Sequence, residues 1–257
     1  VRAEAVPRPP ILCAGCPHRG FFYQLGQLRD VVLTSDIGCY ALGGAPPLNA
    51  KDSCICMGAA FSMAHGAQKT FDFFGEDKRV VASMGDSTFF HSGVGPLTSS
   101  IFNDHKIVMV ILDNRTTAMT GHQPNPGTGR RFGSINTEPI DMETLVKGLG
   151  IKFVRTVDPY NVKAAEKVMR DALDFDGTAV VVSKCPCPLE LKRNKQLVIK
   201  DCSVDQSKCI HCHICVKTIA CPALVKKGEN VMTDPNQCIG CGMCADVCPK
   251  GAIEVRE

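Results

Sequence analysis

Val80-Val81-Ala82-Ser83-Met84-Gly85-Asp86-Ser87 and Ile107-Val108-Met109-Val110-Ile111-Leu112-Asp113-Asn114 are two short apolar runs, each closed by a hard oxygen ligand. Continuous runs of this length read as strands buried on both faces, which belong in a parallel sheet. A helical stretch over 87–102 separates them, so the unit is strand–helix–strand. Asp86 and Asn114 then lie just past the carboxyl ends of two strands. That edge of an open α/β sheet is where ligands bind. Two such ligands, with backbone carbonyls and the oxygens of a diphosphate, suit an octahedral Mg²⁺, which takes only one or two groups from the protein. Gly85 allows a close backbone approach, and Ser87 is placed to start a helix whose N-terminus faces the anion. A lone Gly-Asp-Ser is a turn and a helix cap. The second strand with its Asp-Asn makes it a candidate site.

The surrounding chain repeats the pattern. Strands are expected at 31–35, 152–157 and 179–183, and helices near 21–29, 57–71, 141–149 and 160–173. Residues 1–12 are Pro-rich and read as an extended lead-in. Asp36-Ile37-Gly38-Cys39 is a loop at a strand end. The stretch from Asp52 to Gly58 is a helix entry containing Cys54 and Cys56. Asn125-Pro126-Gly127-Thr128-Gly129 is a loop able to fold over a cofactor. The α/β pattern ends near Lys184.

From Asp201 the composition changes. Nine of the sixteen cysteines fall in the last 57 of the 257 residues. They spell Cys209-x2-Cys212-x2-Cys215-x5-Cys221-Pro222 and Cys238-x2-Cys241-x2-Cys244-x3-Cys248-Pro249. The second run has the spacing of bacterial ferredoxins, and the first is longer by two residues before its last Cys. In a two-cluster fold the fourth Cys of each run ligates the other cluster. Cys209, Cys212, Cys215 and Cys248 are therefore assigned to one [4Fe–4S] cluster, and Cys238, Cys241, Cys244 and Cys221 to a second. Structural zinc sites would not call for the Cys-Pro endings. Cys202 stands outside both sets and reads as a plain buried thiol.

The formal net charge of +3 indicates neither nucleic acid nor an anionic membrane as partner. No apolar run reaches membrane-spanning length. No signal peptide opens the chain, and Val1 is not an initiator, so the sequence is expected to begin inside a longer gene product. Cysteines in Cys-x-x-Cys runs, in a chain of this size, read as reduced metal ligands rather than disulfides.

The pair of strand ends resembles the diphosphate motif of thiamine diphosphate enzymes, which begins Gly-Asp-Gly and ends in Asn; Ser87 stands where that motif has its second Gly. The strings Gly85-Asp86-Ser87-Thr88-Phe89-Phe90-His91-Ser92-Gly93 and Leu112-Asp113-Asn114-Arg115-Thr116-Thr117-Ala118-Met119-Thr120-Gly121-His122-Gln123-Pro124 resemble the larger subunit of indolepyruvate:ferredoxin oxidoreductases over essentially the whole chain. The resemblance implies a thiamine-binding α/β domain over 1–200 and a ferredoxin-like domain over 201–257. Thr116 joins Asp86 and Asn114 as a metal contact, and Cys56, Met57 and Gly58 join Gly85 and Ser87 against the cofactor. His122 and Gln123 are the candidates for contact with substrate or thiazolium. Relatives hold a further cluster beside thiamine with a scatter that Cys13, Cys16, Cys39 and Cys187 match. Cys185 competes for the fourth place, and the setting Pro186-Cys187-Pro188 favours Cys187.

The activity implied is oxidative decarboxylation of an aryl 2-oxo acid to an acyl-coenzyme A, with electrons passed through the clusters to ferredoxin in an oxygen-poor cytoplasm. Thiamine enzymes also need an activating Glu on a pyrimidine-binding domain. No such second α/β domain is visible here, so a partner domain or subunit is expected, with the family's smaller subunit beside it in a hetero-oligomer. An electron-carrying polyferredoxin is the rival reading, and an inactive scaffold a weaker one.

Overall fold

The computed structural model describes residues 9–256; of the lead-in expected over 1–12, residues 1–8 lie outside them. Five strands, β1 (Val31–Ser35), β2 (Arg79–Gly85), β3 (Val108–Asp113), β6 (Phe153–Val157) and β7 (Ala179–Lys184), form one sheet in the order β1-β2-β3-β7-β6. Every pairing is parallel. All five carboxyl ends therefore open on one edge. A small antiparallel pair, β4 (Arg130–Arg131) and β5 (Ile135–Asn136), sits in the loop beyond β3.

The strands are continuous apolar runs because both faces are covered. Val81, Val108, Val110, Leu112 and Val181 face α1 (His18–Leu25) and α6 (Val162–Asp174) through Phe21, Phe22, Leu25, Ala165 and Met169. Val80, Ala82, Met84, Met109, Ile111 and Val182 face the other layer. That layer holds α2 (Ala59–Phe74), the helical run over 86–102 and α5 (Met142–Gly148). The run is α3 (Asp86–Thr88), a π-turn over Phe89–Gly93 and α4 (Val94–Phe102). Such π-turns often sit at functional sites, and no sequence signal announces this one.

Three expectations shift. The first helix starts at His18, not 21, because Pro17 precedes it and pre-sets its entry. It stops at Leu25, where Gly26 passes so close to the Leu48 carbonyl that a Cβ would stand 1.8 Å from it. A short helix after the sheet, α7 (Pro188–Arg193), was not anticipated. The described end of the lead-in, residues 9–12, has no helix or strand, and it seats Leu12 in the core.

The C-terminal part is built from two antiparallel pairs, β8 (Asp201–Val204) with β11 (Ile253–Arg256) and β9 (Leu224–Lys227) with β10 (Asn230–Thr233). Each cysteine run leads into a short helix, α8 (Ile214–Ile219) or α9 (Met243–Asp246). Asp205 and Asp234 open the two runs alike: their carbonyls accept from Cys209 N–H at 3.0 Å and Cys238 N–H at 2.8 Å. The extra two residues of the first run lengthen its helix, six residues against four. Left-handed backbone recurs at His211 and His213 in one run and at Gly240 and Gly242 in the other. The histidines recover part of the strain through ring contacts to the Glu229 carbonyl at 3.1 and 2.9 Å.

This unit packs on the α1/α6 layer. Val162, Ile219 and Met243 form a shared apolar cluster, and Val162 N–H donates to Asp246 Oδ2 at 3.0 Å. Gly20 of α1 lies against the loop before α6; a Cβ there would meet the Pro159 carbonyl at 2.1 Å. Gly66, inside α2, has nothing within 4 Å of such a Cβ. Gly20→Ala is thus expected to destabilise by about 1–3 kcal/mol through overpacking against backbone. Gly66→Ala is expected to stabilise by about 0.5–1 kcal/mol through helix propensity. Chemical denaturation midpoints of the two variants should move in opposite directions.

Candidate functional site

Two adjoining cavities lie at the carboxyl edge of the sheet. The first, an open cleft of about 570 Å³, is walled by Ile37, Cys39, Tyr40, Met57, Asp86, Ser87, Asn114, Thr116 and Met119, among others. Asp86 follows β2 directly, and its Oδ1 accepts from Ser87 N–H at 2.7 Å. Its Oδ2 is buried and makes no hydrogen bond, and Thr116 Oγ1 is in the same condition. Burial, with the Asp113 carboxylate adding to it, pushes the Asp86 carboxyl up to about 7. A buried carboxylate oxygen and a buried hydroxyl, both unsatisfied on one cleft, are costly unless a cation or a polar ligand completes them. Asn114 Oδ1 accepts from Thr116 N–H at 3.2 Å and keeps acceptor capacity. This donor set, oxygen throughout, fits Mg²⁺ with a diphosphate.

Gly85 lines the cleft, and it allows a second close approach there. A Cβ there would stand 2.7 Å from the Tyr40 ring, so the glycine admits Tyr40 to the cleft wall. Tyr40 O–H donates to the Ile37 carbonyl at 2.9 Å, and burial raises its pKa. Ser87 does not cap the helix: helical backbone begins at Asp86, and Ser87 lies inside the first turn with Gly85 as its cap residue. Of the helix-entry trio, Met57 lines the cleft, Gly58 N–H donates to Asp36 Oδ2 at 2.7 Å, and Cys56 is exposed. Asp36 itself is fully buried at the end of β1. It was legible by the same strand-end rule that found Asp86 and was passed over. Asn125 is also buried, with its Nδ2 unpartnered, and it lowers the Asp86 pKa from across the site. The loop after β3 therefore does fold back to the cleft.

The second cavity, about 500 Å³, is lined by Cys13, Cys16, Cys39 and Cys187 with His18, Asn114, His122 and Leu189, among others. The four thiols come from the loop before α1, the loop after β1 and the start of α7. Burial pushes the Cys16, Cys39 and Cys187 thiols up. Iron would hold them as thiolates. Cys185 does not line this cavity; it turns toward Tyr160 and Cys241. The two cavities share Cys39, Asn114 and Ala118 as a common wall. Asn114 ties them together. Its carbonyl accepts from Cys187 N–H at 2.9 Å, and its Nδ2 lies 3.4 Å from His18 Nε2. Burial holds His18 down to about 4, so its ring is neutral at pH 7.

His122 and Gln123 are not brought to the cleft. His122 faces the cysteine cavity, with Nδ1 3.5 Å from Glu190 Oε2. Gln123 is exposed and bonds back to Thr120 through both ends of its amide. Left-handed backbone at His122 and the turn closed by these bonds aim the pair away from the cleft. Glu190 was missed at the sequence level. Its own burial raises its pKa, but the hydrogen bonds from Arg130 and Asn194 and the charge of Arg130 outweigh this and hold it low.

In the C-terminal unit each assigned quartet rims one cavity. Cys209, Cys212, Cys215 and Cys248 line the first, of about 380 Å³. Cys221, Cys238, Cys241 and Cys244 line the second, of about 370 Å³. Among the described residues no quartet closes as a single-ion site. Cys202 is buried, as expected, and lines the second cavity too.

Asp86→Ala is expected to abolish Mg²⁺-dependent thiamine diphosphate binding by calorimetry while leaving the iron content unchanged. Asp86→Asn, which removes a buried charge facing Asp113, is expected to raise the denaturation midpoint of the cofactor-free protein.

The family profile described as thiamine pyrophosphate enzyme, C-terminal TPP binding domain, matches residues 36–183, and that of the 4Fe-4S binding domain matches residues 231–254. The indolepyruvate oxidoreductase subunit IorA of Archaeoglobus fulgidus is 43% identical, the match covering 98% of this chain and 40% of that one. Its counterpart from Methanothermobacter thermautotrophicus is 39% identical over 96% of this chain and 40% of the other. The chain thus spans about 40% of the length of these curated relatives. Among solved structures, a 2-oxoglutarate:ferredoxin oxidoreductase from Magnetococcus marinus shares the fold, with TM-score 0.59 and 20% identity over 71% of this chain and 66% of that one. The Asp86 cleft lies inside the first matched region and the Cys238–Cys248 run inside the second, and the chain belongs to the thiamine pyrophosphate enzymes, with similarity to the IorA subunits of indolepyruvate oxidoreductases.

Proposed function

We propose that this chain is the thiamine- and cluster-binding part of a 2-oxoacid:ferredoxin oxidoreductase that converts an aryl 2-oxo acid of the indolepyruvate kind to its acyl-coenzyme A. The observation that carries this is the shared wall: the cleft of Asp86 and Asn114 and the cavity of Cys13, Cys16, Cys39 and Cys187 have Cys39, Asn114 and Ala118 in common. A pure electron carrier would have no use for a cleft with unsatisfied Asp86 and Thr116 oxygens beside its cysteines.

Asp86, Asn114 and Thr116 hold Mg²⁺ and through it the diphosphate. Tyr40 and Met57 would wall the cofactor in the same cleft. When bound, thiamine diphosphate supplies the electron sink that a 2-oxo acid needs to lose CO₂. The four thiols across the wall hold a proximal [4Fe–4S] cluster, a one-electron acceptor next to a two-electron donor. The Cys13–Cys16 loop also borders the next cavity, since Gly15 lines the Cys221, Cys238, Cys241 and Cys244 site. That cluster is the inner one, and the Cys209, Cys212, Cys215 and Cys248 cluster is the outer one, facing external ferredoxin. The boundary between the thiamine and ferredoxin domains falls at residue 200. The pyrimidine-binding unit and the smaller subunit complete a hetero-oligomer that works in an oxygen-poor cytoplasm. Among the described residues no helix is long and apolar enough to cross a membrane.

The protein, purified anaerobically, is expected to hold about twelve irons per chain, three clusters of four. Cys16→Ser should lower the count to about eight, and Cys185→Ser should leave it unchanged. About eight irons in the unsubstituted protein would overturn the proximal cluster. The 257-residue chain alone is expected to turn over no aryl 2-oxo acid and to gain turnover with a pyrimidine-binding unit. Turnover by the chain alone would refute that need.

A further inference from the structure

Arg19 is 2% exposed, in the middle of the contact between the two parts of the chain. Its Nε donates to the Cys13 carbonyl at 3.0 Å, and its Nη2 to that of Leu12. On the other side Nη1 donates to the carbonyls of Ile219 at 3.1 Å and Ala220 at 2.6 Å. The guanidinium therefore spans from the Cys13–Cys16 loop to the residue just before Cys221. Among the described residues it has no carboxylate partner. A buried cation with its hydrogen bonds met but no counter-ion is an expensive arrangement. Burial works against its charge, and the thiols of Cys221, Cys16, Cys13 and Cys241 work in its favour. The nearest candidates for a balancing negative charge are thus the two cysteine sets that it separates.

We propose that Arg19 is the fixed counter-charge of the electron path, holding a permanent positive charge between the proximal and inner clusters and favouring the reduced state of both. This rests on the cluster assignments above. A thiolate-bound cluster is an anion, and each one-electron reduction adds a negative charge without a proton. The guanidinium meets that charge without giving up a proton, because it stays protonated throughout. It carries no electron itself. Its hydrogen bonds to both sides of the contact keep it in place as the charge moves from one cluster to the next. Cluster potentials respond to nearby charge and hydrogen bonding. The outer cluster, away from Arg19, should not share the effect.

The test compares R19Q, which keeps an amide donor and loses the charge, with R19K, which keeps the charge and loses the fork. Both are loaded anaerobically, checked for iron, and titrated with a reductant under EPR, the outer-cluster signal being identified by Cys212→Ser. R19Q is expected to make reduction of the proximal and inner clusters harder by about tenfold in the one-electron equilibrium, or roughly 59 mV, with the outer cluster unmoved. R19K should return both toward the unsubstituted values. Equal shifts at all three clusters, no shift in R19Q, or the same shift in R19K and R19Q would overturn the proposal. So would loss of iron from both variants, which would make Arg19 a structural clamp only. About eight irons in the unsubstituted protein would instead mark failure of the cluster assignment itself.

Discussion

Parallel pairing of β2, β3 and β7 is the constraint on which the rest of the molecule depends. It brings the residues after each strand to one edge, so Asp86, Asn114 and Cys187 meet although they are far apart in the chain. The hydrogen bond from Cys187 N–H to the Asn114 carbonyl, at 2.9 Å, then fixes β7's exit against β3's. One asparagine serves both cavities through this geometry: its side chain faces the Asp86 cleft, and its backbone anchors a cysteine of the neighbouring site. A sheet with mixed strand directions would scatter these groups over two edges.

The site is built at the expense of stability. Asp86 Oδ2 and Thr116 Oγ1 are buried without partners, and Asp86 also faces Asp113. Arg19 is a buried cation with carbonyl partners only. Each would be a fault in a protein evolved for stability alone. Together they mark where bound groups are to supply the missing charge. The continuous apolar strands offset this cost: nearly every side chain of β2, β3 and β7 is buried against one helical layer or the other.

Much of this was readable in the chain itself, for local reasons. The apolar runs at 80–84 and 107–112 give strands whatever surrounds them, and the residue after a parallel strand must come to the carboxyl edge. The Cys-x2-Cys-x2-Cys runs give loops that enter a helix, and the offset between them gives the internal repeat. The first run is longer by two residues, and its helix α8 is longer than α9 by the same two, six residues against four. Sequence neighbourhood does not show which way a loop residue faces. His122 and Gln123 follow the Asn114 loop in sequence; His122 faces the cysteine cavity, and Gln123 bonds back to Thr120. Gly85 lines the cleft and also admits Tyr40 to its wall.

The sequence by itself determined the apolar strands, the residues Asp86 and Asn114 at their carboxyl ends and the two cysteine runs, because spacing along one chain segment dictates each. Only the tertiary structure separated Cys185 from Cys187, two residues apart: Cys187 lines the cysteine cavity and Cys185 turns toward Tyr160 and Cys241. It alone showed that the cleft and the cysteine cavity share a wall, and that Cys202 lines the cavity of the Cys221, Cys238, Cys241 and Cys244 quartet. It alone placed Arg19, whose carbonyl partners at Ile219 and Ala220 lie some two hundred residues away. Such long-range juxtapositions depend on how the C-terminal unit packs on α1 and α6, and no local pattern encodes that packing.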